Sequence, residues 1–211
     1  MHRITKRFGA GIANDSVDIE ISPGEIHALV GENGAGKTTL MNILYGLLRA
    51  DSGDIYIEGN LAKLDSPSTA IKNGIGMVHQ HFMLIPPFTV TENVILGNEP
   101  NRFRILINSL RAKQQVTSVS AKYGLKVDPN SKIEHIGVGL EQRVELIKTL
   151  YRGARILILD EPTAVLTPQE TDELFNILRQ FKQQGKTCRC LFLTQNLLRV
   201  LLKKAVERCA S

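Results

Sequence analysis

The feature that most constrains the fold is the segment 31–38, which reads Gly-Glu-Asn-Gly-Ala-Gly-Lys-Thr. It matches the pattern G-x-x-x-x-G-K-[ST], which is typical of loops that bind the phosphates of nucleoside triphosphates. Glycines let backbone N–H groups approach phosphate oxygens, because no Cβ stands in the way. Lys37 offers a positive charge to the β- and γ-phosphates, and Thr38 offers a hydroxyl oxygen to Mg²⁺. The candidate binding residues of this phosphate loop are Gly31, Asn33, Gly34, Ala35, Gly36, Lys37, Thr38 and Thr39.

The flanking segments give the loop the context that it requires. Residues 26–30 form a short apolar run, Ile-His-Ala-Leu-Val, which predicts a buried strand that ends at the loop. After the loop, apolar residues recur at helical spacing at Leu40, Ile43, Leu44, Leu47 and Leu48. A strand, a glycine-rich loop and a helix in this order direct the positive end of the helix dipole at a bound anion.

The composition is that of an ordinary globular chain with one or two domains: 211 residues, 43% hydrophobic and 22% charged. The net charge of +5 is spread along the sequence, so we expect no nucleic-acid partner. No run of 18 apolar residues exists, and the N-terminus lacks the apolar stretch of a secretion signal, which predicts a cytoplasmic protein. Three cysteines without framework spacing argue against structural disulfides.

Along the chain, short apolar strands alternate with helices, which predicts an α/β fold with a parallel sheet. Residues 53–60 indicate a strand that runs into a hairpin turn, and residues 91–124 indicate a helical insertion beside the sheet. Further strands are predicted at 75–78, 155–159 and 187–194. Further helices are predicted to start at Ser66-Pro67 and to run over about 138–151, the second with Val144, Ile147 and Leu150 inward. The capping box Thr167-Pro-Gln-Glu170 opens another predicted helix, which carries Leu174, Phe175, Leu178 and Phe181 and stops at Gly185.

Two acidic residues, Asp160 and Glu161, directly follow the strand 155–159, which is apolar on both faces. The carboxyl ends of strands are where open α/β sheets bind their ligands. One carboxylate at this position can hold the metal of a Mg-triphosphate, and the other can polarise the attacking water. The pair therefore extends the phosphate loop into a candidate hydrolytic site.

With these two motifs the chain resembles the ATP-binding cassette (ABC) family, and four further segments match that family. Residues 77–80, Met-Val-His-Gln, resemble the Q-loop, and residues 136–143, Ile-Gly-Val-Gly-Leu-Glu-Gln-Arg, resemble the signature motif. Residues 159–163, Leu-Asp-Glu-Pro-Thr, resemble the Walker B end, and residues 164–167 occupy the D-loop place. Phe8 is a candidate to stack on adenine, because that position needs a π-face; packing in the core is the alternative.

This resemblance implies a P-loop NTPase fold, with an ABC-type parallel sheet core, an antiparallel β subdomain and a helical insertion. It implies one domain over 1–211, with a core at about 1–82 and 136–211, a helical subdomain at about 83–135, and an incomplete C-terminus. The amino-acid sequence of three segments, 31–46, 76–83 and 163–170, resembles that of bacterial importers of simple sugars and nucleosides. Cassettes of that kind usually occur as tandem pairs, and residues 1–194 resemble the first of the two.

The resemblance also implies ATP and Mg²⁺ as cofactors, and it assigns a role to each site residue. Thr38, Gln80 and Asp160 would bind the metal; Glu161, Gln80 and Gln195 would act in catalysis; Gly137 and Gly139 would contact ATP held by a second cassette. The implied partners are a second cassette, membrane permease subunits and, indirectly, a substrate-binding protein. The implied location is the inner face of the cell membrane, where the protein would be peripheral.

Two positions depart from the family. Gly137 stands where the family usually has Ser, and the lost hydroxyl is worth about 1.5–3 kcal/mol as a hydrogen bond to a charged group. Gln195 stands where the family has a His that contacts the γ-phosphate. Since Gln cannot carry a proton, we expect turnover to fall by about 10²–10⁴-fold.

The end of the sequence leaves alternatives open. After residue 194 the chain continues into a Leu- and Lys-rich segment unlike the family, and it stops at Ser211. One hypothesis is a reading-frame shift within about residues 185–194, because Thr-Gln-Asn encoded as ACA CAA AAT gives His-Lys when it is read one nucleotide later. The alternative is a natural divergent tail. The leading interpretation is an ATP-hydrolysing importer subunit. The alternatives are a truncated or frameshifted cassette that binds ATP but hydrolyses it poorly, and a soluble ABC protein that acts on DNA or ribosomes.

Overall fold

The computed structural model describes residues 1–102, 106–183 and 189–194. Its helices are α1 (Lys37–Leu44), α2 (Pro67–Lys72), α3 (Val90–Ile95), α4 (Ser109–Tyr123), α5 (Val138–Tyr151) and α6 (Pro168–Gln183). Its strands are β1 (His2–Phe8), β2 (Gly11–Val17), β3 (Ile26–Val30), β4 (Ser52–Asp54), β5 (Tyr56–Ile57), β6 (Asn60–Leu61), β7 (Ile75–Val78), β8 (Asn101–Arg102), β9 (Leu106–Ile107), β10 (Ile156–Asp160) and β11 (Arg189–Thr194). Helices separate β3, β7, β10 and β11 along the chain, as the sequence predicted for the strands of a parallel sheet.

The central sheet is parallel, in the order β3-β11-β10-β7. Its middle strand β10 is apolar on both faces and buried, because it pairs with β7 on one side and β11 on the other. β3 was predicted to be buried, and this was wrong in part. Among the described strands it pairs only with β11, and Val30 at its end is 46% exposed.

A smaller antiparallel layer lies beside this sheet, in the order β2-β1-β4, as the fold class predicted. β5 and β6 form a tight hairpin over the predicted turn. Glu58 and Gly59 at its tip both have positive φ, 53° and 82°, which suits the right-handed twist of the flanking strands. The antiparallel layer and the parallel sheet together confirm the predicted α/β class.

The core consists of two apolar clusters on opposite faces of the parallel sheet. Because side chains alternate along a strand, Leu157 and Leu159 of β10 face one cluster, while Ile156 and Ile158 face the other. The first cluster includes the inward side of α5 and α6, and the second includes α1 and the antiparallel layer. Leu157, Ile158 and Leu159 are each at most 1% exposed, so the sheet is the shared wall of both clusters.

The segment 91–124 was predicted to be helical throughout, and this was wrong between α3 and α4. Gly97 adopts a left-handed φ of 77°, and the short antiparallel hairpin of β8 and β9 follows. α4 then follows, capped at its start by Asn108, whose side-chain oxygen accepts the N–H of Arg111, and at its end by Gly124 with φ of 68°. None of the helices described is both long and apolar enough to cross a membrane.

Candidate functional site

Three groups of predicted site residues lie along one edge of the parallel sheet. Parallel strands all end at the same edge, so the phosphate loop after β3, Gln80 after β7, and Asp160 with Glu161 at the end of β10 lie along it. The charges of groups from all three segments act on Asp160. Burial raises the pKa of Asp160, and the adjacent Glu161 carboxylate raises it further, while His79 and Lys37 lower it. The edge therefore combines acidic and basic groups within interaction range.

The phosphate loop has the backbone that its glycines allow. Gly34 and Gly36 have φ of 83° and 79°, in the left-handed region that disfavours other residues. A Cβ at Gly36 would lie 2.0 Å from the carbonyl oxygen of Ala13, so no larger residue fits there. Lys37 Nζ donates to the carbonyl oxygens of Gly31 and Glu32, at 2.7 Å each. The ammonium group therefore lies over its own loop, where a phosphate would bind.

The helix after the loop is open to an anion at its amino end. α1 begins at Lys37, no side chain caps it, and its first turn contains no acidic residue. Its first N–H groups have no partner within the helix, and they carry the positive end of the helix dipole. Asn33, Gly34, Ala35 and Thr38 are exposed and Thr39 is half-buried, so a ligand can reach the loop. This is the arrangement that binds phosphate at helix N-termini.

Asn14 of β2 contacts the phosphate loop, and the sequence did not predict this contact. Its side chain is 6% exposed, and its Nδ2 donates to the carbonyl oxygen of Gly36 at 3.2 Å. Its Oδ1 is buried without a hydrogen-bond partner among the described residues. The contact joins residues 22 positions apart, so no local sequence pattern predicts it.

Asp160 and Glu161 differ in their surroundings. Asp160 is half-buried at the end of β10, whereas Glu161 has left the strand with a left-handed φ of 44°. Such a conformation costs a non-glycine residue about 1–3 kcal/mol and is typically found at functional sites. Mg²⁺ bound with a nucleotide takes oxygen ligands and usually needs only one or two carboxylates, because phosphates and water complete its shell. The carboxylate of Asp160, the hydroxyl of Thr38 and the amide oxygen of Gln80 fit that requirement.

Gln80 and Phe8 are two further candidates for the site. Gln80 is half-buried and follows β7 by two residues, next to His79, whose ring contacts Tyr45 edge-on at 6.2 Å. Phe8 at the end of β1 is 52% exposed, which excludes core packing. Its ring centroid lies 5.7 Å from Lys6 Nζ. Phe8 thus presents an accessible aromatic ring, and its contact with adenine stays a prediction.

A clamp on the chain after Gln80 was also missed by the sequence analysis. Glu145 of α5 accepts the N–H of Met83 at 3.1 Å, and Lys148 of α5 donates to the Met83 carbonyl at 3.0 Å. Glu145 and Lys148 also form an ion pair at 3.3 Å, with side-chain exposures of 7% and 13%. Both peptide groups of Met83 are therefore held by α5, the helix that begins at the signature segment.

The two signature residues lie on a different element from the phosphate loop. Gly137 is the exposed N-cap of α5, and Gly139 lies in its first turn. The Gly139 N–H donates to Oε1 of Glu170 at 3.1 Å, and Gln142 Nε2 donates to the carbonyl of Pro162 at 2.7 Å. The signature helix is thus tied to the segment that follows Glu161. Gln195 lies outside the described residues.

The sequence comparison gives a clear family. The ABC transporter family matches residues 14–164, well over half of the chain. The nucleoside import ATP-binding protein NupA of Lactococcus lactis subsp. cremoris is 56% identical over 184 residues, which are 87% of this chain and 36% of the relative. The guanosine import ATP-binding protein NupO of Bacillus subtilis is 52% identical over 187 residues, 89% of this chain and 36% of the relative. The chain therefore spans about a third of the length of these curated relatives.

Solved structures agree with the family. The ADP conformation of an ATP-binding cassette of an ABC transporter superposes with a TM-score of 0.77 at 26% identity, covering 91% of this chain and 78% of the other. A dimeric, post-hydrolysis cassette bound to ADP and Pi gives a TM-score of 0.73 at 25% identity, covering 93% and 87%. These likenesses are consistent with the phosphate loop and with the acidic pair at the end of β10. Because the family model matches most of the chain, the chain belongs to the ABC transporter family.

Proposed function

We propose that this chain is the ATP-binding and ATP-hydrolysing cassette of an importer for nucleosides or simple sugars. The observation that supports this most directly is the meeting of the phosphate loop with Asp160 and Glu161 at one edge of the parallel sheet. A nucleoside is the favoured cargo, because the names of both relatives above specify nucleoside or guanosine import.

In this proposal each group at the edge has a defined task. Lys37 exchanges its two loop carbonyls for the β- and γ-phosphates, while the loop N–H groups and the first turn of α1 surround the phosphates. Asp160, Thr38 and Gln80 hold Mg²⁺, which neutralises phosphate charge when it is bound. Glu161 accepts a proton from the attacking water and orients it. Phe8 stacks on the adenine ring.

A second cassette completes the site in this proposal. Gly137 is the N-cap of α5 and Gly139 lies in its first turn, and in this proposal both contact a nucleotide that is carried by another cassette. The helical segment 83–135 contacts the permease on the inner face of the cell membrane, and a substrate-binding protein delivers the cargo. The dimeric arrangement of the related cassette bound to ADP and Pi supports such a pairing.

A cassette that binds ATP firmly but turns it over slowly is the second candidate. It is favoured by Gly137, which has no side chain at the N-cap of α5 where the family usually places a serine hydroxyl. Gln195 at the position of the family's His favours it as well. Both readings share ATP binding, so binding and turnover have to be measured separately.

Lys37→Ala tests the proposal. We expect affinity for a fluorescent ATP analogue to fall at least tenfold, because about 1.5–3 kcal/mol of charge-assisted hydrogen bonding is lost. The matched control is Lys63→Ala, which removes an exposed lysine outside the loop and is expected to bind normally. Glu161→Gln is expected to bind ATP but not to hydrolyse it. Near-normal affinity of Lys37→Ala for ATP would show that the loop does not carry the binding site.

A further inference from the structure

One carboxylate joins the amino ends of two helices. Glu170, in the first turn of α6, accepts the N–H of Gly139 in α5 through Oε1 at 3.1 Å. Its other oxygen, Oε2, accepts the N–H of Thr167 at 2.8 Å and the Thr167 hydroxyl at 2.9 Å. Glu170 therefore completes the predicted capping box of α6 with one oxygen and reaches the signature helix with the other.

The carboxylate is held in place and ionised. The N–H and the hydroxyl of Thr167 lower the pKa of Glu170, and the Gly139 N–H and the Arg143 guanidinium lower it further. The packing is close as well, because a Cβ at Gly139 would lie 2.4 Å from Oε1. Glu170 is thus a fixed negative charge against the first turn of α5.

This contact replaces a cap that α5 lacks. Gly137, its N-cap residue, has no side chain to accept a hydrogen bond from the first turn. The far side of the turn is open, since Gly137 and Val138 are exposed and no atom lies within 4 Å of a Cβ built at Gly137. An anion can therefore approach the turn from the Gly137 side, but it meets Glu170 at Gly139.

The conflict arises at the Gly139 N–H. A backbone N–H has a single hydrogen, so it donates well to only one acceptor at a time. A phosphate oxygen that arrives at this group must displace the carboxylate or share space with a like charge, which is unfavourable.

We propose that Glu170 competes with the phosphate of an ATP bound to a second cassette for the Gly139 N–H, and thereby sets how tightly two cassettes close around ATP. This inference rests on the composite site of the proposed function. On closure, Oε1 leaves Gly139 while Oε2 keeps its bonds to Thr167. Arg143, one turn further along α5, is a cation whose charge already acts on Glu170 and can stabilise the released oxygen, although it also pairs with Glu173.

ATP-driven self-association of the full chain tests the inference. All variants carry Glu161→Gln so that ATP persists, and the association constant is measured by sedimentation equilibrium with Mg-ATP. Glu170→Gln keeps an oxygen that can cap Thr167 but removes the charge, so we expect association about tenfold tighter than in the Glu161→Gln parent, the loss of one charge-assisted competitor. The control is Glu58→Gln, which removes the same charge at the tip of the β5–β6 hairpin, where Glu58 pairs with Arg155 and not with Gly139 or Arg143. It is expected to associate as the parent does.

Amide hydrogen exchange at Gly139 gives a second, independent measurement. Without nucleotide, Glu170→Gln is expected to exchange faster than the parent at this amide, and with Mg-ATP both are expected to be protected. If Glu170→Gln is poorly folded, Glu170→Asp is measured in the same way, because it retains a carboxylate near Thr167 but is one methylene too short for Gly139.

The outcomes separate the two proposals. If the parent binds ATP but shows no ATP-driven association, the composite site is wrong and this inference fails with it. If the parent associates and the Glu170 variant associates equally or more weakly, the composite site stands and the competition is overturned. Unchanged exchange at Gly139 in the variant without nucleotide also overturns it.

Discussion

At the scale of single residues, two glycines in the same turn are constrained in opposite ways. Gly137 has an extended backbone, with φ of −81° and ψ of 165°, and a Cβ there would meet nothing within 4 Å. Gly139 would press a Cβ against the carboxylate of Glu170 at 2.4 Å. A motif-level comparison treats both as signature residues, but only Gly139 is required to be glycine by the packing around it.

Gly137→Ser is therefore expected to be tolerated and to restore a hydroxyl at the start of α5. Because Ser caps a helix slightly better than Gly, the free energy of unfolding should rise by a few tenths of a kcal/mol, roughly. We expect kcat/KM for ATP to rise about tenfold if the hydroxyl meets the nucleotide of a second cassette. Urea denaturation and a steady-state phosphate-release assay measure the two effects.

The control for this substitution is Gly139→Ser, which adds the same side chain two residues further on. It must displace Glu170 and break its hydrogen bond with the Gly139 N–H, so unfolding should become easier by about 1 kcal/mol or more. Equal stability of the two serine variants would contradict the close packing of Glu170 on α5.

At the scale of elements, local signals predicted α5, α6 and β7 well. The bounds 138–151 of α5 match the structure because its apolar residues recur at helical spacing. The capping box at Thr167 and the Pro at the first position of α2 mark helix starts by chemistry that needs only neighbouring residues. The helix expected across residues 91–124 was wrong because apolar spacing was followed through Gly97 and Pro100, which end a helix.

The contacts that support the site could not be predicted in this way. The hydrogen bond between Asn14 and Gly36 spans 22 positions of sequence. The bond between Glu145 and Met83 spans 62 positions, and the bond between Glu170 and Gly139 spans 31. Each partner is a backbone group, which carries no side-chain identity for a sequence pattern to detect. Such contacts follow from how elements pack, so they require the fold first.

The clamp of α5 on Met83 gives a prediction at this scale. Glu145→Ala removes the acceptor of the Met83 N–H and leaves the largely buried Lys148 ammonium without its carboxylate. Breaking a buried pair in this way costs about 3–5 kcal/mol. The free energy of unfolding in urea should fall by that amount, and the segment after Gln80 should become more sensitive to limited proteolysis.

The matched comparison is Glu134→Ala, which breaks the exposed pair of Glu134 with Lys132. Their side chains are 41% and 50% exposed, and such pairs contribute about 0–1 kcal/mol. A loss at Glu145 no larger than the loss at Glu134 would mean that the clamp does not stabilise the fold.

At the scale of the whole molecule, carboxylates that accept hydrogen bonds from backbone N–H groups lie in both the antiparallel layer and the helical segment 83–135. The pKa of Asp51, which joins β1 to the segment before β4, is lowered by the Lys6 ammonium and the Arg7 N–H. The pKa values of three carboxylates in the helical insertion are lowered mainly by backbone N–H groups of Thr89, Gly97 and Asn130, and these are Glu92, Glu99 and Asp128. Two acids behave in the opposite way, because burial raises the pKa of Asp160 and Glu141.

The sign of the pH dependence follows from these directions. A carboxylate whose pKa is lowered by folding stabilises the fold above its unfolded pKa, and that contribution is lost as the pH falls through the folded value. The unfolded values are 4.5 for Glu and 3.8 for Asp. Asp160 and Glu141, whose pKa values are raised, act against this trend. Folding opposes their ionised form, which lowers the free energy of unfolding at neutral pH, and this loss disappears as they are protonated at lower pH. Among the described residues, more carboxylates have a lowered pKa than a raised one. We therefore expect the free energy of unfolding to decrease as the pH falls below about 4.5.

Glu92→Gln isolates one of these contributions in a single experiment. In the native chain Glu92 accepts the N–H of Thr89 at 2.7 Å and its hydroxyl at 2.8 Å, and both bonds favour the ionised carboxylate. The variant should therefore be less stable than the native chain at pH 7, and the gap should narrow as the pH falls below 4.5, because protonation of Glu92 removes the charge that the two bonds favour. Urea denaturation of both proteins at pH 7, 5, 4 and 3 measures the gap. A gap that stays constant over this range would mean that the charge of Glu92 adds nothing to its cap, and that the acid sensitivity of the fold arises elsewhere.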